Sequence, residues 1–175
     1  MRTKSNSAFY TLILICYFSV LSMDKVSAQE NGIYELTDIN KLSKQSSSKK
    51  GVQSDRKDFY NLSQNLHSTF YFENNRLKNK YGEGSPLRLT LEDLNSFNAI
   101  NKSDSQFNNI EIITVTLKNE NDLNKIFDLS NMSGFSKLKY VFIKCNFNCD
   151  AVKIRKFIKT SDNKIRDFYT SEKPS

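Results

Sequence analysis

The amino-acid sequence predicts an α/β domain, in which helices pack against an open parallel or mixed β-sheet. A run of large apolar residues from Leu138 to Ile143 is typical of a strand that is buried on both faces. The amphipathic stretch that begins at Asp150 predicts a short helix directly after this strand. Similar apolar runs recur before and after it at nearly equal distances, which is typical of stacked strand–helix units.

The N-terminus predicts a secretory signal peptide over residues 1–28. Arg2 and Lys4 precede an apolar run from Phe9 to Leu21, and Val26-Ser27-Ala28 supplies small or β-branched side chains before a cleavage point. The run is shorter than the roughly twenty apolar residues of a membrane span. We therefore expect a secreted or periplasmic protein with no stable span after cleavage, and an uncleaved anchor is the alternative.

The exported chain is basic. Loss of residues 1–28 removes three cations and one anion, which lowers the formal net charge from +7 to +5. A surface of this charge suits contact with an anionic envelope polymer, although moderate positive charge often serves solubility alone. The sequence carries no nucleic-acid-binding motif, and no nucleic acid is expected as a partner outside the cell.

Two cysteines remain after loss of the signal peptide. Cys145 and Cys149 lie four residues apart, between the predicted strand and the predicted helix. Because an exported chain meets an oxidising environment, the pair is a disulfide candidate, with two reduced and half-buried thiols as the alternative. The spacing differs from the CxxC motif of thiol oxidoreductases, which argues against a redox function.

Residues 29–56 predict a disordered or linker arm. They hold few large apolar side chains and run into KLSKQSSSKKGVQSDRK, which is rich in serine and lysine. The isolated apolar residues around Ile33 and Tyr34 predict at most a transient turn or a docking strand. The remaining residues 57–175 predict a single α/β domain, because their number suits one modest core.

The folded part opens with a predicted helix. Its apolar residues recur at the three- and four-residue steps of one helix face: Phe59, Leu62, Leu66 and Phe70. The cluster Phe70-Tyr71-Phe72 is also typical of a strand, so the end of this helix is left open.

Apolar residues then repeat along the chain. Three units share a strand-like pattern: Ile110-x-x-Ile113-x-Val115, Leu138-x-x-Val141-x-Ile143 and Ile165-x-x-Phe168-x-Thr170. Their offsets are 28 and 27 residues, and an irregular strand candidate starts at Leu87, 23 residues before the first unit. A helix-capable stretch from Asp122 to Phe127 lies between the first two units. Such periods predict stacked supersecondary units, or an ordinary open sheet whose units happen to have similar lengths.

The second unit resembles a leucine-rich repeat. The segment Leu138–Asn146, LKYVFIKCN, follows the pattern L-x-x-L-x-L-x-x-N. In that family the asparagine side chain bonds the backbone where the chain leaves the strand, and Asn146 takes that position. Lys118 takes it in the first unit, and Asn148 stands where an apolar residue belongs. The resemblance spans Leu87 to Thr170 and implies a short curved sheet with an exposed binding surface.

The chain as a whole resembles small exported proteins of Bacteroidetes. The segments that carry this likeness are FSKLKYVFIKCNFNC and the final FYTSEKPS. The likeness implies an exported setting and no particular activity.

No catalytic constellation is recognised in the sequence. His67 is the only histidine, and no nucleophile or carboxylate motif frames it. The closest carboxylates, Glu92 with Asp93 and Glu120 with Asp122, stand at predicted element ends, where such residues commonly cap helices. Metal-ligand and phosphate-binding motifs are also absent from the sequence, so no cofactor and no metal site is predicted.

A group of basic residues after Asp150 is the exposed feature with binding potential. On the predicted helix these residues take the face opposite the apolar stripe, where solvated charges are also common. The anion-binding candidates are Lys153, Arg155, Lys156, Lys159, Lys164 and Arg166.

The sequence therefore predicts an exported, non-enzymatic binding domain that recognises a protein or an anionic polymer through a sheet face or a strand edge. The alternative is a small envelope hydrolase whose site is built from loops. A deep polar cleft around His67 or paired carboxylates favours the hydrolase, and a continuous exposed patch favours the binding domain.

Overall fold

The computed structural model describes residues 33–36, 50–101, 104–130, 132–160, 162 and 164–172, with side chains from residue 55 onward in the second range. These residues form an α/β fold, as the sequence predicts: a mostly parallel, seven-stranded mixed sheet with three helices. The predicted signal peptide lies outside the described residues. Within them, every helix is too short or too polar to cross a membrane.

The regular elements are short. The strands are β1 (Ile33–Glu35), β2 (Thr69–Glu73), β3 (Arg76–Tyr81), β4 (Arg88–Leu91), β5 (Ile112–Leu117), β6 (Phe127–Asp128), β7 (Tyr140–Cys145), β8 (Ile158–Lys159) and β9 (Arg166–Ser171). The α-helices are α1 (Lys50–Gln64), α2 (Phe97–Ile100) and α3 (Ala151–Phe157). The 3-10 helices are η1 (Leu94–Ser96), η2 (Ser105–Phe107) and η3 (Glu120–Asn124).

The large sheet has the strand order β1-β9-β7-β5-β4-β2-β3. Only β3 runs antiparallel to its neighbour, and the other described pairs are parallel. Strands β4, β5, β7 and β9 lie side by side in chain order. The short strands β6 and β8 lie in the connections between them and form a small parallel sheet of their own. The carboxyl ends of the parallel strands therefore share one edge of the large sheet.

The larger core lies between the sheet and the connections that follow β4, β5 and β7. Alternate strand residues such as Leu89, Ile113 and Val141 are fully buried in it. Aromatic rings from the connections cover them, for example Phe97 and Phe127, whose ring centres are 4.5 Å apart. All the long connections with short helices thus pack on one face of the sheet.

Helix α1 packs on the opposite face and makes a second, smaller core. Phe59 stacks on Phe168 with 4.0 Å between ring centres, and it meets Phe142 edge-to-face at 5.4 Å. Asp58, beside it on α1, accepts a hydrogen bond of 3.0 Å from the Tyr140 hydroxyl. Strand β7 is therefore covered on both faces, which explains its continuous apolar sequence.

Helix α3 forms where the sequence predicts a helix after β7. The Asp150 carboxylate caps its first turn by accepting a hydrogen bond of 2.9 Å from the Lys153 backbone N–H. Ile154 and Phe157 are fully buried on its inner face. Ile158 leaves the helix and enters β8. In the helix-capable stretch from Asp122 to Phe127, the chain instead forms the end of η3 and the start of β6.

The prediction that Leu66 and Phe70 extend the face of α1 is wrong. The helix ends at Gln64, Leu66 is fully exposed, and Phe70 lies in β2. Parallel pairing of β2 with β4 aligns Phe70 with Leu89 and buries the Phe70 ring in the larger core. The strand alternative for Phe70-Tyr71-Phe72 is therefore the one that forms.

Two parts of the predicted arm, residues 29–56, have secondary structure. Residues Ile33–Glu35 form the edge strand β1, and α1 begins at Lys50. The Leu36 backbone N–H donates a hydrogen bond of 2.8 Å to the carbonyl of Tyr169 in β9. An edge strand forms such backbone hydrogen bonds with its neighbour whether its side chains are apolar or polar. The low apolar content of the arm therefore did not prevent Ile33–Glu35 from forming a strand. Residues 37–49 of the arm lie outside the described residues.

The register of the last repeated unit differs from its prediction by one residue. Ile113 pairs with Val141, which confirms the 28-residue offset of the first two units. Val141, however, pairs with Asp167 and not with Phe168. The ring of Phe168 is thereby placed on the α1 side, where it stacks on Phe59. A shift of one residue exchanges the two faces of a strand.

Within the described residues, the Asn146 side chain does not make the backbone hydrogen bond that the leucine-rich-repeat resemblance implies. Its side chain is exposed, and its backbone N–H donates a hydrogen bond of 3.0 Å to the Leu117 carbonyl. The turn from Cys145 to Cys149 carries the chain from β7 into α3 without an inward asparagine.

Candidate functional site

The two cysteines close the turn between β7 and α3. Both side chains are buried, the two sulfur atoms lie at disulfide-bonding distance, and the Cα atoms are 6.5 Å apart. The Cys149 backbone N–H also donates a hydrogen bond of 2.9 Å to the Ser171 hydroxyl. The pair therefore ties the end of β7 to the start of α3, next to the end of β9.

We expect residues 29–175, the predicted exported form, to hold one disulfide between Cys145 and Cys149. Closing so small a loop is worth about 2 kcal/mol of unfolding free energy in the chain-entropy model. Intact-mass measurement after alkylation without reductant should show no added groups, and alkylation after reduction should show two. Two alkylated thiols without reductant would show that the pair is reduced.

The predicted anion-binding group does not form one surface. Arg166 lies in β9 and its Nε is 2.7 Å from Asp55 of α1, on the opposite side of the sheet from α3. Lys153 pairs with Glu120 at 3.1 Å, and Lys159 pairs with Asp128 at 2.7 Å. Half of the predicted group is thus engaged with carboxylates.

The other half of that group comprises Arg155, Lys156 and Lys164, which make no ion pair with another described residue. Arg155 and Lys156 are exposed in the last turn of α3, where cations also interact favourably with the helix dipole. Anion binding by these three residues remains a prediction. They also serve as a control for basic residues elsewhere on the protein.

The residues that a hydrolase would use serve local structure. His67 Nε2 lies 2.9 Å from the backbone carbonyl of Asn61, in the last turn of α1. Asp93 caps η1 through the Ser96 backbone N–H at 3.1 Å, and Asp122 accepts a bond of 2.7 Å from the Lys118 backbone N–H. In the described ranges, no three His, Cys, Asp or Glu side chains converge on a common metal position.

Strand β3 is one free edge of the large sheet. All six of its residues are exposed, and it pairs with β2 alone among the described strands. Its backbone groups on the outer side are therefore open to another strand. Three of its six residues are basic: Arg76, Lys78 and Lys80. Lys78 also reaches Glu73 of β2 at 2.7 Å, and this contact raises the pKa of the Lys78 ammonium.

The sheet face between α1 and β3 carries hydroxyl and cationic side chains. Strand pairing aligns Thr90 with Thr114, and Thr116 with Lys144. The Lys144 Nζ lies 5.5 Å from the centre of the Phe142 ring. Burial, and then the positive charge of nearby Arg88 in β4, lower the pKa of Lys144. Lys144 in β7 lies four strands from β3 in the sheet order, so its charge belongs to the central part of this face.

Arg88, the first residue of β4, is partly satisfied by hydrogen bonding. One of its terminal nitrogens donates a hydrogen bond of 3.2 Å to the Asn65 carbonyl, while its Nε is buried without a partner. Neither Arg88 nor Lys144 makes a salt bridge with a carboxylate within the described ranges, but the negative charge of Glu92 acts on Lys144 and opposes the lowering of its pKa.

A groove of about 290 Å³ lies on the other side of the molecule, between the η1–α2 segment and the start of β6. Three asparagine side chains line one wall: Asn95, Asn98 and Asn101. The opposite wall is residues 125–128, and Leu94, Phe97 and Phe127 complete the lining. The Lys125 Nζ donates a hydrogen bond of 3.2 Å to the Asn95 amide oxygen across the groove.

Asp167 is a half-buried residue of β9 whose carboxyl oxygen Oδ1 is buried. It lies between Ile33 of β1 and Val141 of β7 in the strand register, and its Oδ1 has no hydrogen-bond partner. Burial raises the pKa of Asp167 to about 7. Within the described residues it is therefore the carboxyl group whose ionisation burial opposes most strongly.

Sequence reasoning missed the β3 edge, the asparagine groove and Asp167. The first two left signals: basic residues at 76, 78 and 80, and asparagines at 95, 98 and 101. Asp167 left none, because only the register of β9 decides which face of the sheet it takes. No protein-family model, no curated protein and no solved structure matches this chain.

Proposed function

We propose that this protein is an exported, non-enzymatic binding domain that recognises the acidic, extended segment of a protein or an anionic polymer. The partner lies along β3 and the adjoining sheet face. The observation that carries the proposal is the β3 edge itself, six consecutive exposed residues of which three are basic.

The backbone of β3 would supply affinity for an extended partner, and its side chains would supply selectivity for an acidic one. An extended polypeptide adds to a free strand edge through main-chain hydrogen bonds, which give affinity without regard to sequence. Arg76 and Lys80 supply the charge that selects acidic partners and speeds their approach. Arg88 of β4 adds positive charge to the sheet two strands from β3.

The architecture and the cysteines support the remaining parts of the proposal. Successive strands from β4 to β9 with their connections on one face are arranged like the stacked units of a repeat-like sheet, and such open sheets usually bind partners. The buried cysteine pair suits an oxidising compartment outside the cytoplasm.

Replacing Arg76, Lys78 and Lys80 together by glutamine should weaken binding to an acidic polymer about tenfold, because exposed ion pairs each contribute roughly 0.5 kcal/mol. The measurement is retention of residues 29–175, the predicted exported form, on immobilised poly-L-glutamate at low and high salt. Part of the wild-type retention should persist at high salt, since main-chain hydrogen bonds are screened less than exposed charges.

A matched variant separates the β3 edge from net charge. Replacing Arg155, Lys156 and Lys164 by glutamine removes the same charge far from β3, and we expect less than about a twofold change in retention. Equal losses of retention in the two triple variants would mean that the polymer responds only to the net charge of the protein. This result is expected if the basic surface serves solubility alone. That outcome would contradict recognition at the strand edge.

A further inference from the structure

We infer that the groove between α2 and β6 is a second binding site, which takes an extended peptide segment without positive charge. The site lies apart from β3 and does not depend on the function proposed there. Its ligand inserts between the asparagine wall and the free side of β6, and it continues the small β6–β8 sheet by one strand.

The first support is the backbone of β6. Asp128 pairs with Lys159 in the parallel register, and the N–H of Leu129 donates a hydrogen bond of 2.7 Å to the Lys159 carbonyl. In this ladder the residues on either side of Asp128 face β8, so the N–H and C=O of Asp128 itself point away from β8. Neither group has a backbone partner among the described residues. One donor and one acceptor of a strand edge are therefore directed to the groove side.

The second support is the opposite wall. Asn98 and Asn101 are exposed and stand three residues apart, so their side chains lie near one another along α2. Their amide groups make no hydrogen bond with another described residue. Each amide offers an acceptor and donors, the same pair of groups that a peptide unit presents. An extended peptide can thus bond β6 with one edge and these amides with the other.

The third support is charge. Asp128 pairs with Lys159 at 2.7 Å, whereas Lys125 bonds only the neutral amide of Asn95 at 3.2 Å and keeps its positive charge. The hydrogen bond from Lys159 and the contacts with Ser130 hold the pKa of Asp128 at about 2, so this pair persists over the physiological range. The groove therefore presents the positive charge of Lys125, which disfavours a ligand that is itself positively charged.

Size and polarity narrow the ligand further. A volume of about 290 Å³ is at the lower end for ligand sites, which suits a few peptide residues and not a folded surface. Ile126 stands at the rim with 61% of its surface exposed. Because an apolar residue there gains by contact, we expect the peptide to carry an apolar side chain at that position.

The probe for this site is the acetylated and amidated tetrapeptide Val-Thr-Val-Thr, titrated into isotope-labelled protein of residues 29–175. The Asp128 backbone amide and the side-chain amides of Asn98 and Asn101 should shift together and saturably. The double variant Asn98→Ala with Asn101→Ala should bind at least about tenfold more weakly, since two hydrogen bonds to the ligand are lost. Asn121→Ala, an exposed asparagine of η3 outside the groove, is the control and should bind like the wild type.

Three results would overturn the inference. They are the absence of saturable shifts at the groove, equal affinity of the double variant and the wild type, and saturable shifts with an uncharged oligosaccharide but not with the peptide. The glutamine variant of β3 distinguishes this site from the proposed function, because it should bind the tetrapeptide at the groove unchanged. Circular dichroism of each variant confirms that a loss of binding is not a loss of fold.

Discussion

Replacing Asp167 by asparagine is expected to remove most of the pH dependence of stability between about pH 4 and pH 7. Burial raises the pKa of Asp167 in the folded protein to about 7, whereas an unfolded chain has a value near 4. Because the folded pKa is the higher one, the protonated carboxyl favours the fold. Wild-type stability should therefore fall as the pH rises above about 4 and level off above about 7, by up to about 4 kcal/mol in all.

Urea unfolding of the wild type and of Asp167→Asn across this pH range provides the measurement. The variant should be the more stable of the two by a few kcal/mol at about pH 8, with the difference shrinking towards acid pH. Glu83→Gln is the control, because Glu83 is an exposed carboxylate without an ion-pair partner in the described part of the chain. Parallel pH profiles for the wild type and Asp167→Asn would show that the Asp167 carboxyl is solvated in the folded protein.

Replacing Phe59 by alanine is expected to lower the free energy of unfolding by about 3 to 5 kcal/mol. Phe59 has 0% of its surface exposed and joins α1 to the sheet through Phe168 at 4.0 Å and Phe142 at 5.4 Å. Removal of its ring leaves a cavity between rigid aromatic neighbours, and those neighbours cannot close it without losing their own contacts.

The comparison for this variant is Leu66→Ala. Leu66 stands just beyond α1 and is fully exposed, so we expect a change within about 0.5 kcal/mol. Both variants are measured by urea unfolding at one pH, below the range in which Asp167 titrates. A loss below about 1 kcal/mol for Phe59→Ala would mean that α1 contributes little to the stability of the sheet.

The parts of the fold that could be predicted from the sequence are those that local interactions determine. Strand β7 shows its burial on both faces in a continuous apolar run, and α3 shows its start in Asp150 and its inner face in Ile154 and Phe157. The 28-residue offset between β5 and β7 was readable as well, because both strands are central and apolar.

The parts that could not be predicted depend on distant partners. Strand β1 is held by β9, more than a hundred residues away, so its sequence alone left a docking strand at Ile33 and Tyr34 open beside a transient turn. The register of β9 depends on the stacking of Phe168 on Phe59, which the local spacing from Ile165 to Thr170 does not encode. The end of α1 at Gln64 likewise depends on Phe70 entering β2 beside β4.

The candidate sites follow the same division. The cysteine pair was predictable because its members are four residues apart. The basic group was predicted as one surface from its closeness in sequence, but Arg166 takes the opposite side of the sheet through its contact with Asp55 of α1. The groove joins Asn95 to Lys125, 30 residues later, so only the three-dimensional structure shows that its two walls face each other.

The position of β9 between β1 and β7 bears on how the chain matures during synthesis. The bond between the Tyr169 hydroxyl and Glu35 joins residues 134 positions apart, so the first strand has no place in the sheet until the last has emerged. Until then both β1 and the central strand β7 present unpaired edges, which are hazards for association with other chains. A contact of such long range also forms slowly. A chain that is kept unfolded until its synthesis is complete avoids that interval, because β1 and β9 are then available together.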